Sequence, residues 1–277
     1  MKILLTGRNG QVGLELEQSL AAHGTLVSTS RAELDLADRD AITRVVREAQ
    51  PDVIANAAAY TAVDSAESEP VLAMQVNGVA PGVLAEEARR RDALLVHYST
   101  DYIFDGTKNA PYREDDAPRP LGVYGHTKLE GEARIRASGC RHLIIRTAWV
   151  YGRGRNFVRA IRRQADRGGR LRVVNDQFGA PTWAADIAAL TAKMLRLEGT
   201  FHVSAAGEAS WYEVAREILR LTGRNVAVQP VSTAEYGARA PRPRYSVLDN
   251  GKLRAAGIAP IGDWRERLAA HLQSERP

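Results

Sequence analysis

One cysteine, Cys140, in a chain of 277 residues leaves no partner for a disulfide and makes a reducing, cytoplasmic setting the expectation. No stretch approaches the roughly 18 consecutive apolar residues that a membrane-spanning helix needs. The apolar run in MKILLTGRNG is also too short for a secretory leader. Aromatic residues make up only 6% of the chain and never interleave with basic ones in a stripe, so neither nucleic acid nor membrane is an expected partner. The net charge of +5 does not alter this, because the arginines are scattered through helix-like segments such as EEARRRDA and FVRAIRRQADRGGR. A mild positive excess suits a small polyanionic ligand. The six histidines (23, 97, 126, 142, 202, 271) show no metal-ligand spacing, and G-x-S-x-G is absent, so neither a metal centre nor a serine-hydrolase elbow is expected.

What is present is an ordinary globular mixture, 44% apolar and 26% charged. Short apolar runs at 2–7, 25–30, 51–59, 93–100 and 142–150 alternate with stretches at 11–22, 38–49, 77–91 and 124–138 whose apolar spacing is near 3.6. That alternation predicts an α/β fold, a doubly wound parallel sheet with helices on both faces. Beyond residue 150 the pattern loosens. Helices are expected at 156–168, 183–196, 210–222 and 263–273, and strands at 171–174 and 200–204. The expected division is a first domain over 1–150 and a smaller lobe over 151–277, some of whose segments return to the first.

Between the first strand and the first helix lies TGRNGQVG, with Gly7, Gly10 and Gly13 three apart. Glycine is needed where the turn is tight, where backbone must approach a pyrophosphate, and where helix packs on strand. A helix opening at Gln11 points its free N–H groups at such an anion. A strand before and a helix after supply the context a dinucleotide site requires, so 1–150 is expected to bind the dinucleotide. The second strand runs into Ser30-Arg31, with no carboxylate until Glu33; a basic residue there accommodates a 2'-phosphate, which favours NADPH over NADH. Asp35 and Leu36 are expected beside the adenine.

The fourth strand ends in YSTDYIFDG, presenting Ser99, Thr100 and Asp101 at the sheet edge that such folds use for function. Downstream, VYGHTKLEGE places Tyr124 and Lys128 one helical turn apart on one face. The pair alone also fits a solvated helix surface. Behind a nucleotide site it fits chemistry better: a phenol with an ordinary pKa of about 10 is acidified by a neighbouring cation.

With these blocks together, the sequence resembles the extended short-chain dehydrogenase/reductase family, through TGRNGQVG, the Ser/Thr after the fourth strand, and YGHTK as Y-x-x-x-K. The likeness runs to the C-terminal RPRYSVLDNGKL. It is greatest, through ANAAAYTAVDSAESEP, STDYIFDG, IIRTAWVYG and VNDQFGAPTWAADIA, to members that reduce the 4-keto group of a dTDP-linked deoxysugar. The resemblance implies a Rossmann-type fold with a substrate-binding C-terminal lobe and a nucleotide-sugar substrate. It also implies NADPH or NADH as hydride donor, and a monomer or homodimer. By this likeness Tyr124 donates the proton, Thr100 hydrogen-bonds the same oxygen, and Lys128 holds the nicotinamide ribose. Gly7, Gly10, Gln11, Val12 and Gly13 would contact the cofactor, with Ala59, Tyr60 and Thr61 near that ribose. Thr100, Asp101, Tyr124 and Trp149 would face the sugar. Some relatives dimerise around magnesium, for which only Glu15 is suggestively placed.

Three rivals share these features. A sugar 4,6-dehydratase carries an Asp-Glu pair after the threonine, and Tyr102 in the second position cannot serve as that base. A nucleotide-sugar 4-epimerase would use the same groups without consuming reduced cofactor. A regulatory subunit, such as the methionine adenosyltransferase beta subunit that resembles this branch, would bind a partner instead of turning over.

Overall fold

The computed structural model describes residues 1–275. Its centre is a six-stranded, wholly parallel sheet: β1 Lys2–Thr6, β2 Thr25–Thr29, β3 Val53–Asn56, β4 Leu94–Thr100, β5 His142–Thr147 and, last in the chain, Gly199–His202. Counted in chain order the strands lie 2-1-3-4-5-6 across the sheet. The order reverses between β1 and β3, and the crevice beyond their carboxyl ends is where such sheets bind ligands.

Alternation along each strand builds two cores. Ile3, Leu5, Val53, Ala55, Val96, Leu143 and Ile145 face one side, against Leu16 and Leu20 of α1 (Gln11–Ala21). Leu4, Ile54, Leu95 and Ile144 face the other, against α2 (Arg39–Ala49), the helix Ala80–Arg90 and Ile135 of the long helix Val123–Ser138. Side chains in strands alternate faces, so each run of consecutive apolar residues fills both layers.

Two short helices, α3 (Val63–Ala66) and α4 (Pro70–Met74), follow β3. They lead through a π-helical turn, Gln75–Val79, into α5 (Ala80–Arg90), and Val123–Ser138 is then α6. The sequence pattern predicts one helix at 77–91 but not the two short ones, because four or five residues carry no periodicity. The C-terminal half contributes α7 (Phe157–Asp166), the short parallel pair Val150–Tyr151 with Thr182–Trp183, and the pair Leu171–Val174 with Val228–Val231. It also returns to the first sheet. Gly199–His202 pairs with β5, and helix Ala184–Met194 packs against α1. No helix among the described residues is long and apolar enough to cross a membrane.

Candidate active site

The glycine turn is built by local necessity. Gly7 has φ +77°, and a Cβ there would stand 2.7 Å from the Ala58 backbone in the loop after β3. A Cβ at Gly13 would lie 2.1 Å from the Gly7 carbonyl oxygen, so only glycine lets α1 dock this close to β1. Gly10 caps α1 without a side chain, and no acidic residue occupies the first turn, so its leading N–H groups are left for an anion. These features fit a dinucleotide pyrophosphate. Gln11 is tied away from the turn, its Nε2 donating to the Val150 carbonyl at 3.4 Å while its Oε1 accepts from Asn156 Nδ2 at 3.1 Å. Val12 packs against the first core.

At the end of β2 the two arginines each find a carboxylate. Arg8 pairs with Glu33 at 3.2 Å, and Arg31 with Asp35 at 3.6 Å. The Arg31 side chain is 78% exposed and free to swing to a ligand. Leu36, expected beside the adenine, has its side chain buried with Leu4, Ile54 and Leu84 in the second core. Its apolar character and the chain's turn inward explain this. The loop carrying Ala59, Tyr60 and Thr61 is clamped by Asn77 on the π turn, which accepts from the Tyr60 N–H and donates to the Tyr60 carbonyl, both at 2.9 Å. Asn77 also donates to Thr127 Oγ1 (3.2 Å), and Thr127 donates to the Tyr124 carbonyl (2.9 Å), coupling this loop to α6.

Tyr124 stands in the first turn of α6, half-buried, with the Tyr102 ring edge-on at 5.8 Å. The α6 N-terminus has no cap of its own. Glu67 supplies one, accepting from the Val123 N–H at 2.9 Å. Tyr124 was expected to be acidified by Lys128, and the protein does the reverse. Burial pushes the phenol up to about 12, Thr100 beside it draws it back, and Asp101 pushes it further up. Lys128 is not the neighbour that sets it, because the ammonium reaches past the phenol to the sheet. Lys128 Nζ donates to the Tyr98 carbonyl at 2.6 Å and lies 3.3 Å from His97 Nε2. The lysine is only 2% exposed, and burial brings it down to about 8 against the pull of Glu132.

Thr100 Oγ1 donates to Asp101 Oδ1 at 3.0 Å and accepts from the Tyr102 N–H. Asp101 is buried with Oδ2 unpartnered, and burial raises its carboxyl to about 6 despite hydrogen bonds from Ser246 and Thr100. The sign follows. Between the ordinary carboxylate value of 3.8 and about 6 the folded protein holds a proton that the unfolded chain has released, so stability falls as pH rises through that window. We therefore expect Asp101→Asn to stabilise the fold at pH 7 by about 1–3 kcal/mol. At pH 4 the gain should all but vanish. Urea denaturation of both proteins at the two pH values measures this, and an equal difference at both would refute it.

Trp149 was expected against the sugar. It adopts φ +47°, and its indole stacks face to face on Trp211, ring centroids 3.5 Å apart and 5° from parallel. A Cβ on Gly179 would meet the same ring at 2.4 Å. Trp211 opens helix Trp211–Leu221 and gave no signal in sequence. Asp64, Arg242 and Glu67 were missed as well. Arg242 Nη2 lies 2.8 Å from Asp64 Oδ2, closing the loop 240–243 over α3. A cleft lined by Val63, Glu67, Tyr102, Gly122, Tyr124 and Pro241 lies beneath. Glu15 faces Arg153 at 3.3 Å, and among the described residues no group of three or more metal-ligating side chains gathers.

A glycine turn at the switch point, with Thr100 and Tyr124 grouped past the end of β4 and Lys128 anchored on that strand, defines the class: an extended short-chain dehydrogenase/reductase on a Rossmann-type sheet. More particularly, the chain belongs to the family described as RmlD substrate binding domain, which matches residues 1–276. It is 44% identical over 286 residues to a dTDP-4-dehydrorhamnose reductase of Burkholderia thailandensis, covering 96% of both chains. It superimposes on a solved dTDP-4-dehydrorhamnose reductase of Clostridium acetobutylicum with a TM-score of 0.96, 40% identity and 99% of each chain covered. A Bacillus anthracis dTDP-4-dehydrorhamnose reductase, solved in complex with NADP, matches with a TM-score of 0.95 and 36% identity over 99% of this chain and all of that one.

Proposed function

We propose that this chain reduces the 4-keto group of dTDP-4-dehydro-L-rhamnose to dTDP-L-rhamnose with NADPH. The observation that carries it is Tyr124 beside Thr100 at the carboxyl end of β4, with Lys128 one helical turn on, in a chain whose near full-length relatives are named as that reductase. When bound, the reduced nicotinamide supplies the hydride. Gly7, Gly10 and Gly13 would admit the pyrophosphate to the α1 N-terminus, and Arg31 would meet a 2'-phosphate. Lys128 would hold the nicotinamide ribose hydroxyls with the one N–H that the sheet leaves free. Tyr124 gives its proton to the oxygen that becomes the C4 hydroxyl, and Thr100 orients that oxygen. Asp101 and Trp149 would line the sugar subsite. Residues 1–150 would carry the cofactor and the lobe beyond them the sugar nucleotide, with helix 184–194 and strand 199–202 serving the first domain. We assign the enzyme to the cytoplasm, because the fold needs no disulfide, and expect a monomer or homodimer.

The epimerase alternative is not favoured, since near full-length relatives are named reductases, and the presence of Thr100, Tyr124 and Lys128 together disfavours a regulatory subunit. The test is loss of absorbance at the reduced-nicotinamide band with dTDP-4-dehydro-L-rhamnose and each cofactor in turn. One NADPH should be consumed per sugar. An epimerase would consume none, and that result would end the proposal. Reversing the charge by Arg31→Glu should raise the KM for NADPH about tenfold, the worth of one exposed charge-assisted contact. The KM for NADH should stay within about twofold. Equal changes for both cofactors would remove Arg31 from the 2'-phosphate site.

A further inference from the structure

The reductase reading leaves one buried polar group unexplained. His97 sits in mid-strand within LLVHYST, wholly buried. Its backbone is the register partner of Asn56 in β3, which is the partner of Thr6 in β1, so the three side chains stand in one row on one face of the sheet. Thr6 Oγ1 donates to Asn56 Oδ1 at 2.7 Å, and Asn56 Nδ2 lies 3.1 Å from His97 Nδ1. His97 Nε2 is 3.3 Å from Lys128 Nζ. None of the four residues is more than 2% exposed. The row begins one residue before Gly7 of the glycine turn and ends on the lysine.

Burying four polar groups is costly unless each is partnered. The row has a definite direction. For Nε2 to accept from a charged Lys128, the ring proton must sit on Nδ1. The Asn56 amide must then be turned end for end from the orientation just described, its oxygen to the ring and its N–H to the Thr6 hydroxyl, an exchange that leaves the heavy-atom positions in place. The opposite direction places an N–H at Nε2 and suits only an uncharged amine. The protonation of Lys128 and the polarity of the whole row are therefore tied. Burial and the charge of Lys128 hold His97 well below its ordinary value, so the ring stays neutral throughout.

We propose that His97, oriented by Asn56 and Thr6, is a positioning residue for Lys128: it accepts one ammonium N–H while the Tyr98 carbonyl accepts a second, leaving the third to the cofactor. The inference rests on the reductase reading and deepens the account of its site. The groups facing Lys128 are His97 and the Tyr98 carbonyl from β4, and Glu132 and Tyr124 one turn to either side on α6; Glu132 is itself paired to Arg146 of β5 at 2.8 Å. A cation that loses an accepting partner in a buried site gives up its proton more easily.

The experiment is the pH dependence of kcat/KM for NADPH in wild type, His97→Leu, His97→Gln and Asn56→Ala. Wild-type activity should fall on the alkaline side as Lys128 deprotonates. In His97→Leu that limb should move down by about half a pH unit or more. The KM for NADPH should rise about fivefold or more, and the KM for the sugar should stay within about twofold. Glutamine can accept from Lys128 and donate to Asn56, so it should restore the wild-type limb. Asn56→Ala should shift it the same way by less, and keeps the question open to refutation if the leucine variant does not fold. A merely structural row would lower the denaturation midpoint and leave both limb and KM in place; that result in folded variants overturns the proposal. No NADPH oxidation by the wild type would instead overturn the reductase reading.

Discussion

Tyr124→Phe is expected to lose turnover by about 10²–10⁴-fold, the range for removal of a positioned general acid, while still binding NADPH. The loss is about 3–5 kcal/mol of transition-state stabilisation. It should fall on kcat, because the missing proton is needed only as charge develops on the sugar oxygen. The replacement keeps the ring, and the edge-on contact with Tyr102 at 5.8 Å holds it in place, so the site should not collapse. The donor role rests on the placement of the phenol beside Thr100, not on its acidity, because burial makes it a weaker acid than a free phenol. A phenol pushed up to about 12 carries its proton at neutral pH and gives it up only to a strongly basic oxygen such as the developing alkoxide. It follows that Tyr124 contributes no alkaline limb near pH 8; one found there belongs to Lys128, brought down to about 8. Stopped-flow turnover and NADPH fluorescence titration separate chemistry from binding. A phenylalanine variant as fast as wild type would remove Tyr124 as proton donor.

The largest loss of stability is expected from Glu132→Ala. Glu132 lies one turn beyond Lys128 on α6, fully buried, and accepts from Arg146 Nε at 3.0 Å and Nη2 at 2.8 Å. Burial raises its carboxyl, but the Arg146 hydrogen bonds outweigh this and hold it below the ordinary range. Arg146 is only 3% exposed, so removing the carboxylate strands a buried guanidinium. Breaking such a pair costs about 3–5 kcal/mol, much of a domain's margin of about 5–15 kcal/mol. The double variant Glu132→Leu/Arg146→Met leaves no buried guanidinium unpaired and should recover most of the loss. Guanidinium denaturation of the three proteins decides it. A single variant within about 1 kcal/mol of wild type would mean that water reaches Arg146.

The sheet was legible because parallel strands buried on both faces read as short apolar runs, and 2–7, 25–30 and 93–100 lie close to the strands found. The glycine turn was legible for a steric reason: the spaces at Gly7 and Gly13 admit no side chain whatever the rest of the chain does. Helix spacing put Tyr124 and Lys128 on one face, as α6 does, but could not say where the lysine's long stem would end. That depended on a carbonyl of β4, thirty residues upstream. His97 had one faint signal, a lone imidazole within an apolar run. It gained meaning only when sheet register set it beside Asn56 and Thr6.

By itself the sequence determined what short-range sterics and periodicity control: the glycine turn, the alternation of strand and helix, and the residue types at the sheet's functional edge. The tertiary structure alone decided which side chains far apart in sequence would meet. It seated Trp149 on Trp211, latched Arg242 to Asp64, capped α6 with Glu67, and added strand 199–202 beside β5. The reason is that a hydrogen bond or an aromatic stack forms between whichever groups packing brings within about 3–4 Å, and separation along the chain carries no information about that distance.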